Sequence, residues 1–156
     1  PVTMWQAVLS KFLAGWIFIG IALVLTFPMV LTVWYLGDPD NGMIFTSYLG
    51  SFLMAGAYLT ITCVTSALSR NQVISFILSV IICFVLVILG WGVFTQILSQ
   101  ALPIWLVDII TSFSFSTHFN SISRGIVDSR DLVFYLSIIF GGLMINAVIL
   151  DSKKAV

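Results

Sequence analysis

The sequence predicts an all-α protein, a polytopic bundle of transmembrane helices, from its composition and from four long apolar runs. Of the 156 residues, 60% are hydrophobic and 8% are charged, whereas a soluble domain carries about a quarter charged residues. The mean hydropathy is +1.17. Because so few charges cannot cover a domain of this size against water, most of the surface must face lipid.

The four apolar runs define the predicted spans. They contain no Asp, Glu, Lys, Arg or His and lie at 12–36, 43–68, 73–98 and 132–150. Each exceeds the roughly 18 residues that mark a bilayer-spanning helix. A cleaved signal peptide would account for one N-terminal run at most. The sequence therefore predicts a single transmembrane domain with four spans, covering 1–156.

The distribution of the six cations predicts the orientation. If the spans alternate, four cations share one side, and these are Lys11, Arg70, Lys153 and Lys154. The other two, Arg124 and Arg130, fall on the opposite side. Cytoplasmic segments carry the excess of cations in membrane proteins. The N-terminus, the C-terminal tail and a short loop with Arg70, Asn71 and Gln72 are therefore expected in the cytoplasm.

The long connection before the last span predicts two short extracellular helices. Apolar residues recur at helical spacing over 102–113. A second short element at 117–125 ends at Gly125, a natural C-terminal stop. Asp128 can then cap the last span, with Asp131 three residues on. We expect a re-entrant hairpin that dips into the outer leaflet, and the alternative is one amphipathic helix lying on the surface.

The charged residues of this hairpin form the candidate site. Asp108 lies in an apolar helix, where an unpaired acid is costly, so it either faces water or pairs with an arginine. The cluster consists of Arg124, His118 and three acids, Asp108, Asp128 and Asp131. We expect one of them to hold the guanidinium, in an ionic cluster that locks the short helices as a gate. The alternative is solvated surface charge.

Small residues in the second span predict close helix packing. Ser47, Ser51 and Ala55 form a stripe at four-residue spacing, with Gly50 and Gly56 nearby. Such residues let two helix backbones approach in a membrane. The contact is expected within the bundle or against a partner protomer. Asn146, in the last span, is expected to make an interhelical hydrogen bond.

Several classes of function have no residues to support them. The formal net charge is zero, so nucleic acid is not an expected partner. Cys63, Cys83 and the single histidine, His118, lack the spacing of a metal or disulfide site, and His118 is expected to be a hydrogen-bonding residue. No phosphate-binding loop occurs, and the spans hold no ionisable group for ion coupling. No cofactor, metal, ATP hydrolysis or intramembrane catalysis is expected.

Two segments, 48–78 and 118–136, resemble the permease subunits of ABC-2 type transporters. The resemblance is closest to the gliding-motility-associated and nitrous-oxide-reductase-maturation branch. Its most specific positions are 48–50, 69–72, His118, Phe119, 123–125, Asp128 and Asp131.

The resemblance implies a six-helix permease with two short extracellular helices between the fifth and sixth. This chain would supply the last four helices, without the first two and the main coupling segment. It implies a homo- or heterodimer in the bacterial inner membrane, in contact with lipid and powered by a separate ATP-binding subunit, most often for export. Such a permease is not itself an enzyme. A non-transporting scaffold within a larger membrane complex is the alternative function.

Overall fold

The computed structural model describes residues 3–154, which fold into eight α-helices without a strand. Helix accounts for 86% of the chain, so the all-α prediction is confirmed. The helices are α1 (Met4–Leu25), α2 (Phe27–Leu36), α3 (Asn41–Leu68), α4 (Gln72–Ile88), α5 (Gly92–Ala101), α6 (Ile104–Ser112), α7 (Phe115–Ser123) and α8 (Ser129–Lys154).

Several of these helices are long and apolar enough to cross a membrane. The qualifying stretches are Met4–Leu36, Asn41–Leu68 and Ser129–Lys153. A fourth is reached only if α4 is counted together with α5, and these two helices meet at an angle of 80°. Large apolar side chains are exposed along most of them, as lipid-facing helices require. The chain is therefore a membrane-spanning helical protein.

The first long stretch is divided at Thr26, between α1 and α2. Pro28 has no N–H to donate to the carbonyl four residues earlier, so the helical ladder is interrupted there. The Thr26 hydroxyl contacts the Leu23 carbonyl oxygen at 2.6 Å and the Tyr48 hydroxyl oxygen at 2.7 Å. The side chain thus bonds to the last turn of α1 and joins the break to α3.

Helix α3 lies at the centre of the bundle and packs against α1, α4, α7 and α8. A Cβ added at Gly56 would lie 2.8 Å from Trp16 Nε1 of α1 and 3.0 Å from Ile139 Cδ1 of α8. The Trp16 ring stacks on Phe52 at a centroid distance of 4.6 Å, and its Nε1–H donates to the Phe52 carbonyl. The absence of a side chain at Gly56 is therefore what lets three helices meet.

Among the other small residues predicted for packing, Gly50 makes a close helix contact, whereas the rest are only half-buried. Gly50 faces α7, because an added Cβ would lie 3.0 Å from Ile122 Cγ2. Ser47, Ser51 and Ala55 are half-buried, and the Ser51 hydroxyl donates to the Ser47 carbonyl of its own helix. The close approaches at the two glycines are thus made within the chain, and contact with a second protomer stays a prediction.

The third predicted span differs from the structure. We expected one helix over 73–98, but α4 ends at Ile88 and α5 leaves at 80° to it. The chain then returns, because Ser114, at the start of α7, lies against Gly90. Helices α5 and α6 therefore form an excursion that leaves and rejoins the bundle at the end of α4.

Helix α7 continues along α3 in the same direction as α4. Three contacts follow one another toward the start of α3: Phe115 with Tyr58, Ile122 with Gly50, and Gly125 with Met43. Gly125 adopts a φ of 87°, a left-handed conformation that glycine accepts without strain, so the predicted stop is confirmed. We call the half of the bundle from the start of α7 to the starts of α3 and α8 the hairpin end. The opposite end, where α3 and α8 finish, is the terminal end.

Candidate functional site

The site begins at the irregular backbone between α4 and α7. The Trp91 N–H donates to the Ile88 carbonyl, so the Val87 carbonyl loses the donor that a continuing helix would supply. The Ser116 hydroxyl replaces it at 2.9 Å, and the Ser114 hydroxyl lies 2.9 Å from that of Ser116. Non-helical backbone is tolerated at membrane depth only where protein groups satisfy it in this way.

Gly90 makes this approach possible. A Cβ at this position would lie 2.5 Å from the hydroxyl oxygens of Ser116 and Thr117, closer than any carbon and oxygen pack. The sequence pattern gave no sign of the break, because Gly90 and Gly92 lie inside an uninterrupted apolar run. The start of α7 can therefore contact the end of α4 only because residue 90 has no side chain.

A buried tyrosine anchors α7 to α8. The Tyr135 hydroxyl donates to the Phe115 carbonyl at 2.8 Å, and both residues are fully buried. The Phe115 ring lies 5.7 Å from the Tyr135 ring and 5.2 Å from the Tyr58 ring, between centroids. This contact closes the interface of α3, α7 and α8 beside the break.

His118 joins α6, α7 and α8 at the hairpin end. Its Nδ1 lies 2.6 Å from Asp131 Oδ1, and its Nε2 lies 2.8 Å from the Ser112 carbonyl oxygen. The Phe134 ring stacks on the imidazole at a centroid distance of 3.9 Å. One side chain thus ties the last residue of α6 to the first turn of α8, in the hydrogen-bonding role expected for this histidine.

The geometry of His118 requires two protons. A carbonyl oxygen only accepts, so Nε2 carries a proton, and a second proton lies between Nδ1 and Asp131 Oδ1. The pair is neutral overall whichever atom holds the second proton. Without that proton, two lone pairs would face each other at 2.6 Å. Asp131 is only 4% exposed and its Oδ2 has no hydrogen-bond partner in the described residues, so this carboxyl depends on the imidazole.

Of the ionic cluster expected in this region, the pair of His118 with Asp131 forms and the pairing of Arg124 does not. Across residues 3–154, the side-chain ion pair that forms is His118 with Asp131. Arg124 is exposed at the end of α7 and pairs with none of the three acids. Asp108 is exposed on α6, which fits the alternative that it faces water.

Asp128 and Asp131 have separate roles in the first turn of α8. Asp128 Oδ1 accepts from the Arg130 N–H at 3.1 Å, so the predicted cap is confirmed. Asp131 stands at the position that completes a capping box, yet its side chain turns to His118 instead. Sequence reasoning missed Tyr135 and Phe134. Tyr135 follows Asp131 by four residues, a spacing that places both on one helix face.

The terminal end is built from fewer polar contacts. Asn71 Oδ1 accepts from the Val73 N–H at 2.9 Å and caps α4, while Arg70 and Gln72 are exposed. Lys153 Nζ donates to the Ala67 carbonyl at 2.5 Å and also contacts the Leu68 carbonyl. A cation at the last carbonyls of a helix satisfies them and complements the helix dipole. This lysine fastens the end of α8 to the end of α3.

Two grooves flank α4. One, of about 420 Å³, lies between α3 and α4 and includes the hydroxyls of Tyr58, Thr62 and Ser79 in its wall. The other, of about 390 Å³, lies among α3, α4 and α8 and is lined almost entirely by apolar atoms, with Gly141 and Gly142 in its wall. Both grooves run along α4, which α1 and α8 leave largely uncovered.

Neither a metal centre nor a relative is found for this arrangement. No group of three or more His, Cys, Asp or Glu side chains within 3–154 is placed to hold a metal ion. No protein-family model, curated protein or solved structure matches the chain. Architecture therefore defines its class, which is that of all-α membrane-spanning proteins.

Proposed function

We propose that this chain is part of the membrane-spanning permease subunit of an ATP-driven ABC-2 type transporter, powered by a separate ATP-binding subunit. The observation that carries the proposal is the non-spanning segment before the last long helix. In the resembling family, two short helices precede the last span. Here α6 and α7 precede α8, and His118 ties all three together.

The placement of ionisable groups supports external energy coupling. Helices α3 and α4 contain no Asp, Glu, Lys, Arg or His, and in α8 these residues lie in the first and last turns. In α1 the one such residue is Lys11, near the terminal end. A carrier driven by an ion gradient needs such groups within its spans. Energy for transport through this bundle would therefore come from a partner protein. The two grooves beside α4 are the candidate surfaces for an apolar substrate or for movement of α4.

The energy source is tested by purification of the full-length protein that contains this chain. We expect a separate ATPase to co-purify, and its turnover to rise when the permease is present in lipid. His118→Gln is expected to keep ATPase capture, because in the proposed orientation the hairpin end lies away from the cytoplasmic side. It is expected to lower transport, because it removes the ring that joins α6, α7 and α8. A complex that transports fully without any nucleotide-binding subunit would disprove the proposal.

The orientation is tested by cysteine labelling in cells, in a background where Cys63 and Cys83 are serine. An impermeant reagent should label cysteine at Asn41 or Asn120, both exposed, but not at Asn71. Asn41 and Asn120 lie at the hairpin end and Asn71 at the terminal end. Labelling of position 71 from outside would reverse the orientation.

The scaffold alternative makes a different prediction. A scaffold needs packing surfaces only, and the exposed apolar side chains of α2 and α4 would serve it equally well. It predicts stable capture of other membrane subunits with no ATPase among them. That result, together with no transport by the wild-type protein, would favour the scaffold.

A further inference from the structure

A pocket of about 190 Å³ at the terminal end lies between α1, α3 and α8. Its walls come from the first turns of α1 and the last turns of α3 and α8. The polar side chains in its lining are Lys11, Cys63, Ser66 and Asn146. The volume is below the roughly 300–1,000 Å³ of a site for a drug-sized ligand, so the pocket suits one small polar group.

Asn146 contributes a buried side-chain amide to the pocket wall. The residue is only 6% exposed, and its Oδ1 has no hydrogen-bond partner in the described part of the chain. The sequence predicts Asn146 to be an interhelical donor through its N–H, and its oxygen accepts no hydrogen bond here. A buried amide without a partner costs about 1–3 kcal/mol. This oxygen is enclosed by protein, so an occupant of the pocket can reach only the amide nitrogen, Nδ2, which can donate.

The charge around the pocket selects an anion. Lys11 is exposed and forms no ion pair within residues 3–154. Lys153 lies close by, on the carbonyls of Ala67 and Leu68. Four cations belong to the terminal end of the bundle, and these are Lys11, Arg70, Lys153 and Lys154. The acid beside them in the sequence is Asp151. An ammonium and an amide at the common end of three apolar helices are placed where the bilayer presents its headgroups.

We infer that this pocket binds the phosphate of an anionic phospholipid headgroup, for which phosphatidylglycerol is the probe. The phosphodiester accepts from the Lys11 ammonium and from the Asn146 amide N–H. A phosphoester thus accepts from both donors of the pocket, while the enclosed amide oxygen stays without a partner. This lipid site is independent of the proposed transport function, because it requires only that the terminal end lies at a membrane surface.

The test is native mass spectrometry of the purified full-length protein with phosphatidylglycerol and phosphatidylcholine at equal concentrations. The wild type is expected to retain phosphatidylglycerol selectively. Lys11→Gln should weaken that retention about tenfold or more, the effect of losing one charged hydrogen bond. Arg70→Gln, which removes a cation from the same end but outside the pocket, should leave retention unchanged.

Asn146→Leu separates binding from folding. It removes the unpaired amide and so should leave the melting temperature equal or higher, while phosphatidylglycerol retention falls. Equal retention by Lys11→Gln and Arg70→Gln, or no preference over phosphatidylcholine, would overturn the inference. A third arm adds inorganic phosphate to delipidated protein. Tight phosphate binding that Lys11→Gln abolishes, without selective lipid retention, would assign the pocket to free phosphate and reject the lipid.

Discussion

The hairpin end and the terminal end of the bundle differ in what holds them together. At the hairpin end, α7 is hydrogen-bonded to three other helices. The Ser116 hydroxyl bonds to α4, the His118 ring bonds to α6 and α8, and the Phe115 carbonyl accepts from Tyr135 of α8. At the terminal end, among the described side chains, Lys153 makes the hydrogen bonds from α8 to α3, and the amide oxygen of Asn146 has no partner. The hairpin end is held by hydrogen bonds between helices, whereas the terminal end has a polar group without a partner.

The difference follows from the continuity of the backbone. Helices α3 and α8 run unbroken to the terminal end, so their internal hydrogen bonds satisfy the backbone up to the last turn, and Lys153 donates to carbonyls of the last turn of α3. At the hairpin end, α4 stops and α7 begins within the bundle, and each freed carbonyl needs a donor. Polar side chains therefore collect where helices break. Substitutions at the hairpin end should accordingly cost more stability than substitutions at the terminal end.

The largest effect is expected from Asp131→Leu. It leaves the imidazole of His118 without its carboxyl partner, and breaking such a pair costs about 3–5 kcal/mol when fully buried. With His118 partly exposed, we expect roughly 2–4 kcal/mol, measured as a loss of unfolding free energy in detergent. Asp108→Leu is the control, because its carboxylate is exposed on α6. Equal stability of the two variants would contradict the role of the pair.

The next effect is expected from Gly90→Ala. Its methyl group would overlap the hydroxyls that surround residue 90, and overpacking of this kind costs about 1–3 kcal/mol. Gly92→Ala is the matched control, because nothing lies within 4 Å of the added carbon. Melting temperatures of the two variants make the comparison. If Gly92→Ala is the more destabilising, α7 does not approach α4 as described.

A smaller effect is expected from Tyr135→Phe. The change removes one hydroxyl and leaves the buried Phe115 carbonyl without its side-chain donor, at a cost of about 1–2 kcal/mol. Tyr35→Phe should be neutral, because Tyr35 is 92% exposed. Hydrogen exchange at the start of α7 should rise in the first variant only. Unchanged exchange there would show that this bond does not hold α7.

The smallest effect is expected from Lys153→Met at the terminal end. The methionine keeps the apolar stem but removes the donor to the last carbonyls of α3, which contributes less than about 1 kcal/mol at a helix end. Arg70→Met should show no loss at all. A loss for Lys153→Met that matched that of Asp131→Leu would remove the contrast between the two ends.

The predictable features were those that depend on neighbours in the chain. The helical class followed from the apolar runs, the cap at Asp128 from its place before α8, and the stop at Gly125 from glycine chemistry. The break at Gly90 was not predictable, since the run over 73–98 is apolar on both sides of it. The partner of Asp131 was not predictable either, because Arg124 and His118 are both within reach along the sequence.

Sequence alone determined that this protein is helical and membrane-spanning. Each segment by itself must place its apolar surface out of water and satisfy its own backbone hydrogen bonds. Tertiary structure decided where α4 ends, that α7 continues its path along α3, and that Asp131 binds His118. These outcomes depend on which side chains meet across elements far apart in the chain. A missing Cβ at Gly90 and a hydroxyl at Ser116 stabilise the break only when α7 brings them together.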